Sequence, residues 1–419
     1  MKTKTPWYDI LQYSALLLMA AAMPHNWRFG VWVALLLVLV STVKIAASRR
    51  IGNPALGASL QWVLAAPALY WAVIAISMLW TADLATGVQV LHLKASLLVF
   101  PFCFLLTDTS YLTPRRLRGL GYALLLSVCA ALLYFLVLAV VNMVQGLSFT
   151  EFKNTVFFSH EKNGFRHHAY IALYAVTVLV FVYTELVCYW HQLKRWHRGM
   201  LLTAAAMATG YVVLVNSRAG MLAMGFTQAA CLVHLAVTHR NWKLVAGTAL
   251  MLTVCIAAAM QLTGYTDRIN ETVTNVEGDV RFQIYTDNWN AYRRQPLLGY
   301  GAGDYHAVQI QQYQAEHFDS GTAAEYNAHN QYLETLMAAG LPGLAALLFF
   351  LLAPLAVALR QRSRYRFQVA LLTAIVAFNL LFESMFERQM GLLFIGSLYA
   401  YMALILSGEE NKFVRTAKS

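Results

Sequence analysis

Apolar residues in this chain arrive in blocks about as long as a helix that crosses a bilayer, and that single pattern excludes most folds. The candidate spans are 8–24, 29–47, 60–80, 89–106, 119–143, 168–190, 200–216, 219–238, 243–262, 331–358, 367–382 and 389–407. Charged residues make up only 12% of the 419 positions, too few to cover a water-facing surface. The expected fold is an all-α polytopic membrane protein of about twelve transmembrane helices. The pair 200–216 and 219–238, interrupted at Ser217-Arg218, reads either as two spans or as one bent hairpin.

Charge placement predicts the orientation. Every second loop is basic: Lys44, Arg49 and Arg50, then Arg115, Arg116 and Arg118, then Lys194, Arg195 and Arg198. Arg240 and Lys243 follow, then Arg360, Arg362, Arg364 and Arg366. With Lys2, Lys4, Lys412, Arg415 and Lys418, 20 of 31 basic residues fall on one side, which the positive-inside rule makes cytoplasmic. The net charge of +11 is then a topology signal with some attraction to anionic membrane lipids, and implies no nucleic-acid partner. The N-terminus reads as a first span rather than a cleaved signal. Five cysteines lie inside spans without a CxxC pair, as packing residues do.

The chain divides into spans over 1–262, a large external loop subdomain over 263–330, and further spans with a cytoplasmic tail over 331–419. The loop holds nine Asp and Glu against four Arg. Within RFQIYTDNWNAYRR, Phe282, Tyr285, Trp289 and Tyr292 recur at spacings of three and four, predicting one apolar helix face from Arg281 to Arg294. Pro296 and GYGAGD end that helix, and DYHAVQIQQYQAEHF predicts another.

Candidate chemistry gathers at the external surface. Arg218, in VNSRAGMLA, is a charge at a membrane boundary, which is functional by default or else snorkels to the interface. Arg166, His167 and His168 open a span in GFRHHAYIA. His329 lies in YNAHNQYLE, where the large loop returns to the membrane; an imidazole there can take or give a proton at neutral pH. Taken alone, Arg281 and Arg294 read as ion-paired residues of an exposed helix face, and Asn330 and Tyr332 read equally as site-lining or packing residues. GYGAGD spells GxGxG rather than a dinucleotide fingerprint, and no phosphate loop or DxD occurs. The histidines at 306, 317 and 329 are not spaced as a zinc set, so neither metal nor other cofactor is expected.

In order, SRAG at 217–220, Arg281 on an external helix, PLLGYGAGDY at 296–305 and HNQYLETLMAAGLPGL at 329–344 resemble the O-antigen ligase / O-antigen polymerase superfamily of bacterial envelope enzymes. The resemblance implies about twelve spans in the inner membrane, with one large periplasmic loop between the ninth and tenth. It implies metal-independent, inverting transfer of a glycan from undecaprenyl diphosphate to an acceptor hydroxyl on the periplasmic face. By that resemblance His329 is the catalytic base, and Arg218, Arg281 and Arg166 bind the diphosphate, with His168, Arg294, Asn330 and Tyr332 as further substrate-site candidates. Lipid A core is the favoured acceptor; a growing glycan or a protein Ser/Thr are alternatives within the family. A lipid-linked sugar transporter, the alternative outside it, would show paired broken helices in two related halves.

Overall fold

The computed structural model describes residues 5–25, 27–146, 168–215, 217–238 and 280–416, with a few positions between 245 and 257. The helices in chain order are α1 (Trp7–Ala22), α2 (Trp27–Ser48), α3 (Ala58–Ile76), α4 (Leu84–Lys94), α5 (Val99–Leu105), α6 (Pro114–Val144), α7 (His168–Tyr189) and α8 (Arg195–Val215). Then follow α9 (Arg218–Thr238), α10 (Val280–Tyr292), α11 (Tyr305–Ala315), α12 (Asp319–Ala323), α13 (Gln331–Arg360), α14 (Arg366–Phe382) and α15 (Gln389–Thr416). No strand occurs among the described residues.

Nine helical segments among the described residues are long and apolar enough to cross a membrane: α2, α3, the α4–α5 pair, α6, α7, α8, α9, α13 and α15. This is the construction of an integral membrane protein. α14 has 17 residues and α1 has 16, both shorter than those nine. The expected span 243–262 lies mostly outside the described residues. Ser217 separates α8 from α9, so the uncertain pair is two helices; its Oγ caps α9 by accepting the Gly220 N–H at 3.2 Å. α7 and α15 are apolar on every side, and most of each membrane-length window is buried, 78% and 89%. They form the centre of the bundle, while leucines of α2 and valines of α6 point outward.

α13 is not a continuous helix. Ala339 and Gly340 leave helical geometry, Gly340 at φ 58° and ψ −150°, and Pro342 follows. The break frees carbonyls that a membrane cannot hydrate. The segment 297–301 supplies their partners: Tyr300 N–H donates to the Met337 carbonyl at 2.7 Å and Gly301 N–H to that of Ala338 at 3.0 Å. Leu341 N–H donates in return to the Leu297 carbonyl at 3.2 Å. The glycines of GYGAGD therefore serve backbone contact. A Cβ on Gly299 would lie 2.6 Å from the Met337 oxygen, and one on Gly340 2.3 Å from the Leu297 oxygen. Asp304 completes the junction by accepting the N–H groups of Ala82 and Asp83 at 2.7 and 2.8 Å.

Gly340→Ala combines a backbone region open essentially to glycine alone with that backbone clash. It is expected to cost about 2–4 kcal/mol, read as a lower melting temperature of the detergent-purified protein. An unchanged melting curve would show that the break tolerates a side chain.

Candidate functional site

His329 is held by its backbone before its side chain comes into play. It adopts φ 45°, a left-handed conformation unusual for a residue with a side chain. Its N–H donates to Asn327 Oδ1 at 3.0 Å. The Asn330 N–H donates to Ser384 Oγ at 3.1 Å, and the Tyr285 hydroxyl of α10 lies 3.3 Å from the His329 carbonyl. Beneath it, the buried Glu334 carboxylate accepts from Ala328 N–H at 2.7 Å, Ser384 Oγ at 3.2 Å and Gln309 Nε2 at 3.1 Å. Those bonds tie the loop before α13, the link after α14 and α11 to one point.

The centre of the arrangement is Glu383, the buried residue that ends α14. Its Oε1 is 3.3 Å from an Arg281 guanidinium nitrogen, and its Oε2 is 3.6 Å from His329 Nδ1. Nδ1 makes no hydrogen bond of its own. The link carrying Glu383 is fixed in turn. Phe386 N–H donates to Gln331 Oε1 at 2.6 Å, and Glu387 binds the buried Lys94 at 2.6 Å and the Tyr305 hydroxyl at 3.0 Å. One carboxylate on a rigid link thus joins the arginine and the histidine expected to work together. Glu383 itself escaped the sequence reading; its only signal was an acid-rich link, FESMFERQ, on the same side as the large loop.

Arg218 comes to this end of the bundle by a different route. A Cβ on Gly220 would lie 2.3 Å from Ala172 Cβ, so α9 and α7 touch where each begins. Tyr170, one half-turn earlier, reaches the position of a Cβ on Gly391, which also abuts the Met385 carbonyl. The starts of α7 and α9 therefore share an end with Glu383. SRAG now has a local account: Ser217 caps the helix, Arg218 is exposed in its first turn, and Gly220 permits close packing. Helix N-termini carry partial positive charge and suit anions; those of α9, α10 and α13 lie at this end with Arg218, Arg281 and His329.

The other candidates separate. His168 opens α7, half-buried, at the same end; Arg166 and His167 lie outside the described residues. Arg294 is at the far end of α10, roughly 20 Å from Arg281 by helical rise, bonded to Gln312. Asn330 caps α13, its Oδ1 accepting the N–H groups of Tyr332 and Leu333 at 2.9 and 3.1 Å. The Tyr332 hydroxyl donates to the Ala377 carbonyl of α14 at 2.9 Å. Among the described residues no group of three His, Cys, Asp or Glu side chains is gathered as a metal ion would need.

The expected aromatic face of α10 is corrected. Its buried stripe is Ile284, Asp287, Asn288, Ala291 and Tyr292, while Phe282 and Trp289 are exposed, 61% and 47%. The helix turns its polar side inward because Asn288 Nδ2 donates to the Tyr313 hydroxyl of α11 at 2.7 Å, beside a small core of Ile284, Tyr313 and Phe318. Burial, with Glu316 close by, pushes the Asp287 carboxyl up to about 6. A folded-state pKa above the unfolded value means that its contribution to stability is complete below about 4. The contribution is lost as pH rises through about 6. Asp287→Asn is expected to flatten the fall in melting temperature over that window. Parallel pH profiles of the variant and the parent would overturn the assignment.

No curated protein matches the chain. Residues 202–348, the stretch that contains Arg218, Arg281 and His329, match the family model described as O-antigen ligase, and the likeness carried by SRAG, PLLGYGAGDY and HNQYLETLMAAGLPGL is a likeness to that family.

Proposed function

We propose that this protein moves a glycan from undecaprenyl diphosphate to an acceptor hydroxyl, without a metal ion and with inversion, at the periplasmic face of a bacterial inner membrane. The observation that carries the proposal is Glu383 between Arg281 and His329. With Nδ1 turned toward that carboxylate, Nε2 is the ring nitrogen left to take the acceptor proton, the division of labour seen when a carboxylate orients a histidine base. The acceptor oxygen attacks the anomeric carbon and the bond to the diphosphate breaks. The hydroxyl proton passes to His329, and undecaprenyl diphosphate leaves with both bonding electrons.

The charge that grows on the diphosphate needs fixed cations. Guanidinium groups hold phosphate oxygens bidentately and do not titrate, so Arg281 and Arg218, with Arg166, fill the role given elsewhere to a divalent ion. Glu383 pairs with Arg281; a bound diphosphate competes for that guanidinium and leaves Glu383 to His329. The break in α13 disfavours transport, because backbone N–H groups of the chain's own loop occupy the carbonyls that a transporter would offer to an ion.

The test is reconstitution with a defined undecaprenyl-diphosphate oligosaccharide in EDTA, offering lipid A core, a second lipid-linked unit and a Ser/Thr peptide in parallel. Transfer to lipid A core at full rate in chelator is expected. Activity that returns only with Mg²⁺ or Mn²⁺ would discard the arginine mechanism, and preference for another acceptor would reassign the subclass.

A further inference from the structure

α10 is turned inside out for a helix in water. It buries Asp287 and Asn288 and leaves Phe282 and Trp289 exposed. Phe282, Thr286, Trp289 and Arg293, all exposed, follow one another at helical spacings of four, three and four, and so share the outward face. Leu297 and Leu298 prolong the apolar surface beyond the helix, 68% and 51% exposed. Large apolar side chains gathered on an outer surface mark a membrane or a partner.

Two contacts fix the level of α10 along the bundle. Near its start, the Tyr285 hydroxyl donates to the Leu381 carbonyl at 3.1 Å, at the end of α14 that carries Glu383. Past its finish, the Leu297 carbonyl accepts from Leu341 N–H at the α13 break. From Leu341 to Arg360 the rest of α13 rises about 30 Å, the thickness of a hydrocarbon core. Leu341, Leu348, Leu352 and Leu359 are exposed along it, the stripe by which a spanning helix meets lipid. Leu341 marks the outer edge of that stripe, and Leu297 joins it there. Tied at both ends to the same boundary, α10 lies along the membrane plane rather than above it.

We infer that α10 and residues 296–298 form an in-plane membrane anchor, with Phe282, Trp289, Leu297 and Leu298 seated among lipids of the leaflet on the Glu383 side. Indole rings favour the boundary between headgroups and acyl chains, and interfacial helices immerse a face of Trp, Phe and Leu there. Arg293, on the same face, extends its guanidinium toward lipid phosphates. Lipid is the occupant because the patch continues, through the Leu297–Leu341 contact, a stripe that already faces lipid. A partner protein seated on it would itself have to enter the bilayer. The anchor also explains the reversed polarity: with lipid outside, the polar side chains of α10 find partners in the protein, as Asn288 does at Tyr313. It holds independently of the transfer reaction, since no chemical step passes through these side chains.

p-Benzoylphenylalanine placed singly at Phe282, Trp289 or Leu297 of the full chain, in liposomes of phosphatidylethanolamine and phosphatidylglycerol, tests the anchor. Irradiation joins the benzophenone to neighbouring C–H bonds, and mass spectrometry identifies what was joined. Leu352 is the lipid-facing reference, and Gln314, exposed on α11, is the aqueous one. Lipid adducts at the three positions are expected at yields close to that of Leu352 and roughly tenfold above that of Gln314. Three separate positions keep the test decisive if one variant fails to fold. Yields no higher than at Gln314 would overturn the anchor. Adducts to a second copy of the chain in place of lipid would overturn it too, and would make the face an interface between copies.

Discussion

His329→Ala is expected to reduce glycan transfer by about 10³-fold or more, within the range general bases contribute, while a labelled lipid-linked donor still binds. The separation follows from the proposed division of the site, in which the imidazole takes the acceptor proton and guanidinium groups and helix N-termini supply donor affinity. Glu383→Gln should cost about 10- to 100-fold. Glu383→Gln combined with His329→Ala should be no slower than His329→Ala alone, because residues that act as a unit are not additive. Rates that multiply in the double variant would show that Glu383 serves only Arg281. Full activity in His329→Ala would remove the histidine from the mechanism altogether.

Arg281→Lys is expected to lower turnover about 10²-fold or more, the scale for losing one donor to a developing oxyanion, although the charge is kept. Lysine offers a point charge where a diphosphate presents paired oxygens, and the bidentate fork is lost. Arg218→Lys should behave alike, and the effect should fall on kcat more than on KM, since charge on the leaving group grows in the transition state. Expression and melting temperature supply the control: Arg281 is partly open to solvent, and lysine keeps a positive charge opposite the buried Glu383. A loss of activity matched by a loss of folded protein would refute the catalytic assignment.

How much of this was legible beforehand depended on the range of each interaction. Spans follow from local apolar runs, and α1, α2, α7, α9, α13 and α14 begin and end within two residues of expectation for that reason. His329 and Arg281 stood out because each lies in a motif. Glu383 did not, since its meaning comes from a contact made across 102 positions of chain. GYGAGD looked like a failed nucleotide loop, and its work is done by peptide groups meeting a helix break that hydropathy cannot reveal. Aromatic spacing alone does not decide which face of α10 is buried. A hydroxyl on Tyr313 instead drew Asn288 inside, and Phe282 and Trp289 stayed out.

The junction between 297–301 and the α13 break also limits how this protein can be re-engineered or diversified. The loop's backbone completes the hydrogen bonding of a helix that enters the membrane more than thirty residues later, so neither piece is a self-sufficient cassette. Exchanging the 297–301 segment for an unrelated sequence would leave the buried carbonyls of Met337 and Ala338 without their partners, unless the graft runs on past Gly340 and Pro342. The smallest transplantable unit spans both sides of the junction, from α10 into the second half of α13. Natural recombination within such genes is constrained in the same way: a crossover between the two glycine clusters separates partners that are useless apart.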